Sequence, residues 1–302
     1  MHARTWAMAS RAPFFLAVIM PSLMGGAVAY YHGQFDLMLF LIVIAGMVLA
    51  HAGTNMMNDY FDFKSGADLK NPQRTPFSGG SPFLPDGTLR PKDVLYVALS
   101  CFAAALLIAL YLAFRSGYIV ILLAGAGGFI GYFYTAPPLR LCYRGIGEFV
   151  TGLALGPLTV VGVYYVLTGT ITVEAIVVSI PIGVLVATIL YVNEVPDHDS
   201  DRLAGKRHLV VLLGKARAAR SLPVLFFLVY GSIAAGVVLR IMPAWTLISL
   251  FTIPVAVNVV RIAAANYNDT PKYIPAQART IAIHSLTGLL LTAGYLAAAF
   301  VG

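Results

Sequence analysis

Charge is what this sequence most lacks. Asp, Glu, Lys and Arg together supply 11% of its 302 residues, where soluble domains carry about a quarter, and the mean hydropathy is +0.82. That deficit excludes a water-soluble globular domain and a charged disordered chain alike. Cysteine is scarce too. Cys101 falls inside an apolar run and Cys142 in a polar connection, so neither a disulfide framework nor a cysteine-ligated metal site is available. Acid is rarer than base, with thirteen Asp and Glu against twenty Lys and Arg.

The chain has long apolar runs instead. Nine of them, near 12–31, 36–58, 92–114, 117–135, 148–168, 172–193, 221–239, 242–264 and 280–300, are long enough to cross a hydrocarbon core of about 30 Å as helices. If the N-terminus lies inside, eighteen of the twenty basic residues fall in inner segments, and only Arg115 and Arg240 fall in outer ones. Basic residues are retained on the cytoplasmic side of short loops. The expectation is therefore an all-α integral membrane protein, nine transmembrane helices in one bundle, with a cytoplasmic N-terminus and the C-terminus outside. The net charge of +7 is then a topology signal, and no nucleic-acid partner is expected. Arg4 and Arg11 before the first run, with "AVA" at 27–29, imitate a signal peptide. The run from Ala12 to Tyr31 is long enough to span and is expected to be retained. No soluble domain stands apart, so residues 1–302 read as one domain whose longest polar segments, 59–91 and 194–220, both lie inside.

Those two segments hold eight of the thirteen acids, and apart from Asp86 these cluster close to the ends of spans: Asp59, Asp62, Asp68, Glu194, Asp197, Asp199 and Asp201. Positions three and four apart share a helix face. His51, Asn55, Asn58 and Asp62 therefore form one polar stripe at the end of the second span, and Asn193, Asp197 and Asp201 form another at the end of the sixth. Asn58-x3-Asp62 is echoed by Asn193-x3-Asp197, which suggests an internal repeat in which spans 2 to 5 correspond to spans 6 to 9. A solvated helix end is the plain alternative, but stacked like charges at i, i+4 repel. A divalent cation removes that difficulty. Carboxylate and amide oxygens are hard ligands of the kind Mg2+ takes, through one or two carboxylates plus substrate phosphate oxygens.

Base and aromatic rings accompany the acids. Lys64, Lys70, Arg74, Lys206 and Arg207 serve either as counter-ions or as contacts to the outer oxygens of a diphosphate. "RTPFSGGSPFLPDG" reads as an irregular loop, a lid with backbone N–H groups available to phosphate. In "GYFYTAPPLRLCYRGIGE", Tyr132, Tyr134, Arg140 and Tyr143 border the same face, with Glu148 at the start of the next span. Aromatic faces stabilise cations, although such rings also build membrane-interface belts. His51 and His198 could act as bases, but read more readily as hydrogen-bonded structural residues.

The motifs "NDYFDFKSGAD", "RTPFSGGS", "YTAPPLRLCYRGIGE" and "DRLAGKRHLVVLLGK" resemble the UbiA superfamily of intramembrane prenyltransferases. Within that superfamily the likeness is to the 1,4-dihydroxy-2-naphthoate prenyltransferases of menaquinone synthesis. The resemblance implies a Mg2+-dependent enzyme of the plasma (inner) membrane, working at its cytoplasmic face on a polyprenyl diphosphate and an aromatic acceptor. It implies Asn58, Asp62 and Asp68 as one metal-diphosphate set, and Asn193, Asp197 and Asp201 as the other. Asp62, Asp197, Asn58 and Asn193 then carry catalysis, while Lys64, Arg74, Arg140, Tyr134, Tyr143, Lys206 and Arg207 bind substrate. Asp62 is followed by Asp68 after five residues rather than the three of a D-x-x-x-D motif. Asp59 and Asp199 are not expected to be ligands. Other acceptors, 4-hydroxybenzoate or homogentisate, and a divalent-cation transporter remain as alternatives. The D-G-x2-A-R motif of CDP-alcohol phosphotransferases is absent.

Overall fold

Apolar helices order themselves here around small-residue contacts. The computed structural model describes residues 2–66 and 74–301, with the side chains of residues 2 and 3 excepted, so Asp68 and Lys70 lie outside the described residues. In chain order the helices are α1 (His2–Ala9), α2 (Leu16–Tyr31), α3 (Leu37–Ser65), α4 (Pro91–Ser116), α5 (Ile119–Phe133), α6 (Gly147–Leu153), α7 (Thr159–Thr168), α8 (Val173–Leu203), α9 (Leu209–Leu213), α10 (Lys215–Val238), α11 (Ile253–Asn266) and α12 (Thr270–Val301). A π turn, Ala154–Leu158, joins α6 to α7, and a 3-10 stretch, Ala244–Thr252, leads into α11. No strand occurs among the described residues. Among the described residues a single isolated β-bridge joins Thr75 and Ser78.

Eight of the nine expected spans are long and apolar enough to cross a membrane. The run at 117–135 forms a shorter helix, the 15-residue α5, about 22 Å at 1.5 Å per residue against the roughly 20 residues of a straight crossing. Gly117, at φ 115°, caps α4, which leaves the next helix to start at Ile119. The segments read as polar loops at 59–91 and 194–220 begin as helix, because α3 continues to Ser65 and α8 to Leu203. Both acidic stripes therefore sit on rigid backbone.

α3 and α8 are built alike. Each is capped by a side-chain oxygen, that of Asp36 accepting from the Leu39 N–H and that of Thr172 from the Ala175 N–H, which satisfies a donor the helix start leaves open. Each carries its acids in the last turns, and each is followed by a glycine with positive φ, Gly66 at 80° and Gly205 at 81°, a conformation that ends helices at little steric cost. α3 and α8 thus share the manner of their starts and ends as well as an acidic stripe.

Burial grades outward from α8. Ile182 and Leu185 of α8, Val160 of α7, Met24 of α2 and Leu291 of α12 are wholly buried in one core. The outer helices present Phe114, Leu107, Phe227 and Phe251 on their far sides, a distribution suited to hydrocarbon rather than water. α8 meets the π turn backbone to backbone: a Cβ added at Gly156 would stand 2.4 Å from the Gly183 Cα. Small residues permit such approaches between membrane helices. Gly156→Ala should cost about 1–3 kcal/mol through overpacking, seen as earlier thermal unfolding of the detergent-solubilised protein. Gly125→Ala, whose Cβ would meet nothing within 4 Å, should unfold like the parent.

Candidate active site

Between α3 and α8 lies a cavity of about 300 Å³. On α3 it is lined from Met47 through His51, Asn55 and Asn58 to Asp62, and on α8 from Val186 through Leu190 and Asn193 to Asp197 and Asp201. Fifteen residues of helix on either side correspond to a depth of about 22 Å. The chemistry changes along that depth. Carboxylates and amides occupy the end toward the two helix C-termini, while Ile130, Leu155 and Ile189 line the apolar remainder. The π turn contributes Ala154 and Leu155 to this wall. π bulges are frequent at functional sites because the widened turn re-aims side chains. "SGG" returns over the polar end: Ser78, Gly79 and Gly80 line the cavity, and the Ser78 hydroxyl donates to Asp197 Oδ1 at 3.3 Å.

Electrostatics centres on Lys206. Its Nζ lies 3.2 Å from Asp62 Oδ2 and 3.1 Å from Asp201 Oδ1, joining the ends of α3 and α8. Burial alone would lower its pKa, but the Asp62 and Asp201 carboxylates outweigh burial and hold it well above the usual lysine value. Asp62 Oδ1 and Asn193 Oδ1 are buried with no hydrogen-bond partner. Hard oxygens left over beside clustered carboxylates are the donor set that a Mg2+ ion takes, so Asp62, Asp197, Asp201, Asn58 and Asn193 fit such an ion together with diphosphate oxygens.

The remaining expected residues divide. Tyr134 lines the main cavity. Lys64, Arg140 and Tyr143 line a neighbouring pocket of about 230 Å³, and Tyr143 presents its ring to both Arg140 and Lys206, at 5.6 and 6.0 Å. Burial, with the nearby Asp62 charge second, raises the Tyr143 phenol pKa. Arg74 and Arg207 line neither cavity. Hydrogen bonds from Thr88, and then the Arg74 guanidinium, keep Asp86 below the usual carboxylate range. Arg207 is exposed: the backbone that turns Lys206 inward after Gly205, with its N–H on Asp201 O at 2.9 Å, leaves the next side chain outward. Asp59 pairs with Arg11, and Asp199 with His198 and Lys215 at the surface. His51 reaches the main cavity; His198 is occupied by Asp199, at 2.7 Å.

Sequence reasoning missed one group. His208 contacts Asp201 and Glu194, and lies with Glu194 and Glu148 in a buried cluster. The available signal was an ionisable residue at each edge of an apolar run, Glu148 before "FVTGLALG" and His208 before "LVVLL".

Fold and site together define an all-helical membrane protein with a cavity that is charged at one end and apolar along its depth. The chain belongs to the UbiA prenyltransferase family, whose model matches residues 18–286, and it is a prenyltransferase enzyme. The transporter alternative ends there. The chain is 29% identical over 285 residues to the 1,4-dihydroxy-2-naphthoate octaprenyltransferase of Bacillus subtilis (strain 168), across 94% of this chain and 89% of that one. It is 27% identical over 297 residues to the 2-carboxy-1,4-naphthoquinone phytyltransferase of Synechocystis sp., across 97% and 93%. The structure of a UbiA homolog from Archaeoglobus fulgidus bound to DMAPP and Mg2+ has the same fold, with a TM-score of 0.70 at 18% identity over 98% of this chain and 99% of that one.

Proposed function

We propose that the protein transfers a polyprenyl group from an allylic polyprenyl diphosphate to 1,4-dihydroxy-2-naphthoate, in a Mg2+-dependent step of menaquinone biosynthesis. The observation that carries the reading is the polar end of the cavity, where Asp62, Asp197, Asp201, Asn58 and Asn193 line one wall-to-wall patch, with Lys206 joining Asp62 to Asp201, above an apolar shaft. A diphosphate head suits the first part and an isoprenoid tail the second. The choice of acceptor is supported by the naphthoate and naphthoquinone named in the two relatives. We place the protein in the plasma (inner) membrane with the charged end facing the cytoplasm, α5 as a ninth crossing, the N-terminus inside and the C-terminus outside. The distribution of basic residues supports this orientation.

Bound magnesium would screen the diphosphate charge and supply Lewis acidity to the leaving group. Asp62, Asp197 and Asp201, with the amide oxygens of Asn58 and Asn193, would hold it. Lys206 supplies a fixed positive charge beside the diphosphate oxygens as the allylic C–O bond breaks and its electron pair leaves with the diphosphate. Tyr134 lines the cavity in which an allylic cation forms and is available to stabilise it, while Tyr143 stands beside Lys206 in the neighbouring pocket. The apolar shaft keeps water from that cation. An electron-rich ring carbon of the acceptor then donates a π pair to the allylic carbon, and the attacked carbon loses a proton, or carbon dioxide where it bears the carboxylate.

The test is transfer of labelled farnesyl or geranylgeranyl diphosphate by purified protein with 1,4-dihydroxy-2-naphthoate. Product with Mg2+ and a loss of at least about a hundredfold with EDTA are expected. Transfer to 4-hydroxybenzoate or homogentisate instead would replace the acceptor and keep the reaction; transfer undiminished by EDTA would remove the metal from it.

A further inference from the structure

Beside the diphosphate end lies a second set of metal-type ligands. Glu148, Glu194 and His208 come from α6, α8 and the residue capping α9, and each offers a donor atom within 4.8 Å of the others. All three are buried, at 3%, 7% and 2% exposure. Glu148 Oε2 and Glu194 Oε2 find no hydrogen-bond partner. His208 Nδ1 stands 3.3 Å from Glu194 Oε2 and accepts from the Val211 N–H at 3.4 Å, which marks it as the nitrogen with the lone pair. Three electron-rich atoms thus converge, and the nearby ammonium of Lys206 is bonded to Asp62 and Asp201 rather than to any of them.

The outer contacts are also those of a metal centre. His208 Nε2 lies 3.1 Å from Asp201 Oδ2, so its proton is donated to a carboxylate, and an ion at Nδ1 would displace only the long 3.4 Å contact from the Val211 N–H. The Leu209 N–H donates to Glu148 Oε1 at 2.8 Å, which turns the other oxygen inward. Ligating histidines and carboxylates are characteristically oriented in this way by second hydrogen bonds. Glu194 and His208 line the main cavity, so an ion has a route in and a coordination position is left facing the cavity.

We propose that Glu148, Glu194 and His208 bind one divalent transition-metal ion of the zinc class, separate from the magnesium held with diphosphate. One imidazole with two carboxylates is a borderline donor set that suits Zn2+ or Mn2+, whereas Mg2+ takes oxygen alone. The site does not depend on which prenyl acceptor the enzyme uses. The competing account of the same atoms is a proton shared between Glu148 and Glu194, with no metal.

Zinc content of the detergent-purified full chain, loaded with Zn2+ and then dialysed against metal-free buffer containing excess Mg2+, separates the two. About one zinc per chain is expected in the parent and in Asp62→Asn and Asp197→Asn, falling at least about tenfold in Glu148→Gln and His208→Gln. Glu148→Gln keeps the shape and can donate to Glu194, so it should fold under either account. Co2+ loaded into the unmodified protein supplies a readout free of mutation: intense visible ligand-field bands of a low-coordinate nitrogen and oxygen site are expected. Loss of zinc from the parent on dialysis, zinc retained in Glu148→Gln, zinc lost with Asp62→Asn, or only the weak spectrum of hydrated cobalt would each overturn the proposal.

Discussion

Asp62→Asn and Asp197→Asn should each lower prenyl transfer by about a thousandfold or more, with helical content and detergent extraction unchanged. Each substitution keeps the size of the side chain and removes one charge from the polar end of the cavity. Removing a single preorganised electrostatic contact costs about 10²–10³ in rate, and here the lost group would also hold the ion that screens the substrate. The fold should survive, because Lys206 keeps Asp201 when Asp62 is neutralised, and an amide oxygen in place of the Asp197 carboxylate can still accept from Ser78. Asp59→Asn and Asp199→Asn serve as matched controls. Asp59 faces Arg11 and Asp199 faces Lys215, and neither lines the cavity, so transfer should change less than about tenfold. Turnover near the parent rate in both Asp62→Asn and Asp197→Asn would sink the site assignment.

Lys206→Met is expected to destabilise the metal-free protein more than any single change at the surface. Its ammonium lies within 3.2 Å of Asp62 and Asp201, and removing it leaves two partly desolvated carboxylates facing each other. Breaking a buried ion pair from one side costs about 3–5 kcal/mol. Millimolar Mg2+ should restore much of that loss, since a divalent ion can take the place of the ammonium between the two acids. Thermal unfolding of parent and variant, each with EDTA and with Mg2+, measures it. A variant that Mg2+ stabilises no more than the parent would show that Asp62 and Asp201 do not act together toward a cation. Transfer by this variant should stay low even when Mg2+ has recovered its stability, because the fixed charge beside the leaving group is still missing.

The two polar stripes illustrate what could be read in advance. His51, Asn55, Asn58 and Asp62 all line one cavity, as do Asn193, Asp197 and Asp201, because spacing along a helix is a local property and decides which side chains share a face. Asp59 shows the limit. It lies three positions from Asp62, yet turns to Arg11, a partner that only the path of the N-terminal segment brings within reach. Lys206 and Arg207 are neighbours with opposite fates, one held between two carboxylates and the other exposed, because the turn after α8 presents alternate side chains inward and outward. Glu148 and His208 lie far apart in the chain, and no periodicity links them.

Composition and local spacing by themselves determined that this chain is helical, suited to a membrane, and armed with two acidic stripes, since hydrophobic length and helical period need no knowledge of neighbouring segments. Tertiary structure alone decided that Lys206 joins the two stripes and that Glu148, Glu194 and His208 meet. Those outcomes rest on attraction and exclusion over a few ångströms between distant parts of the chain, and such energies change steeply with separation and burial.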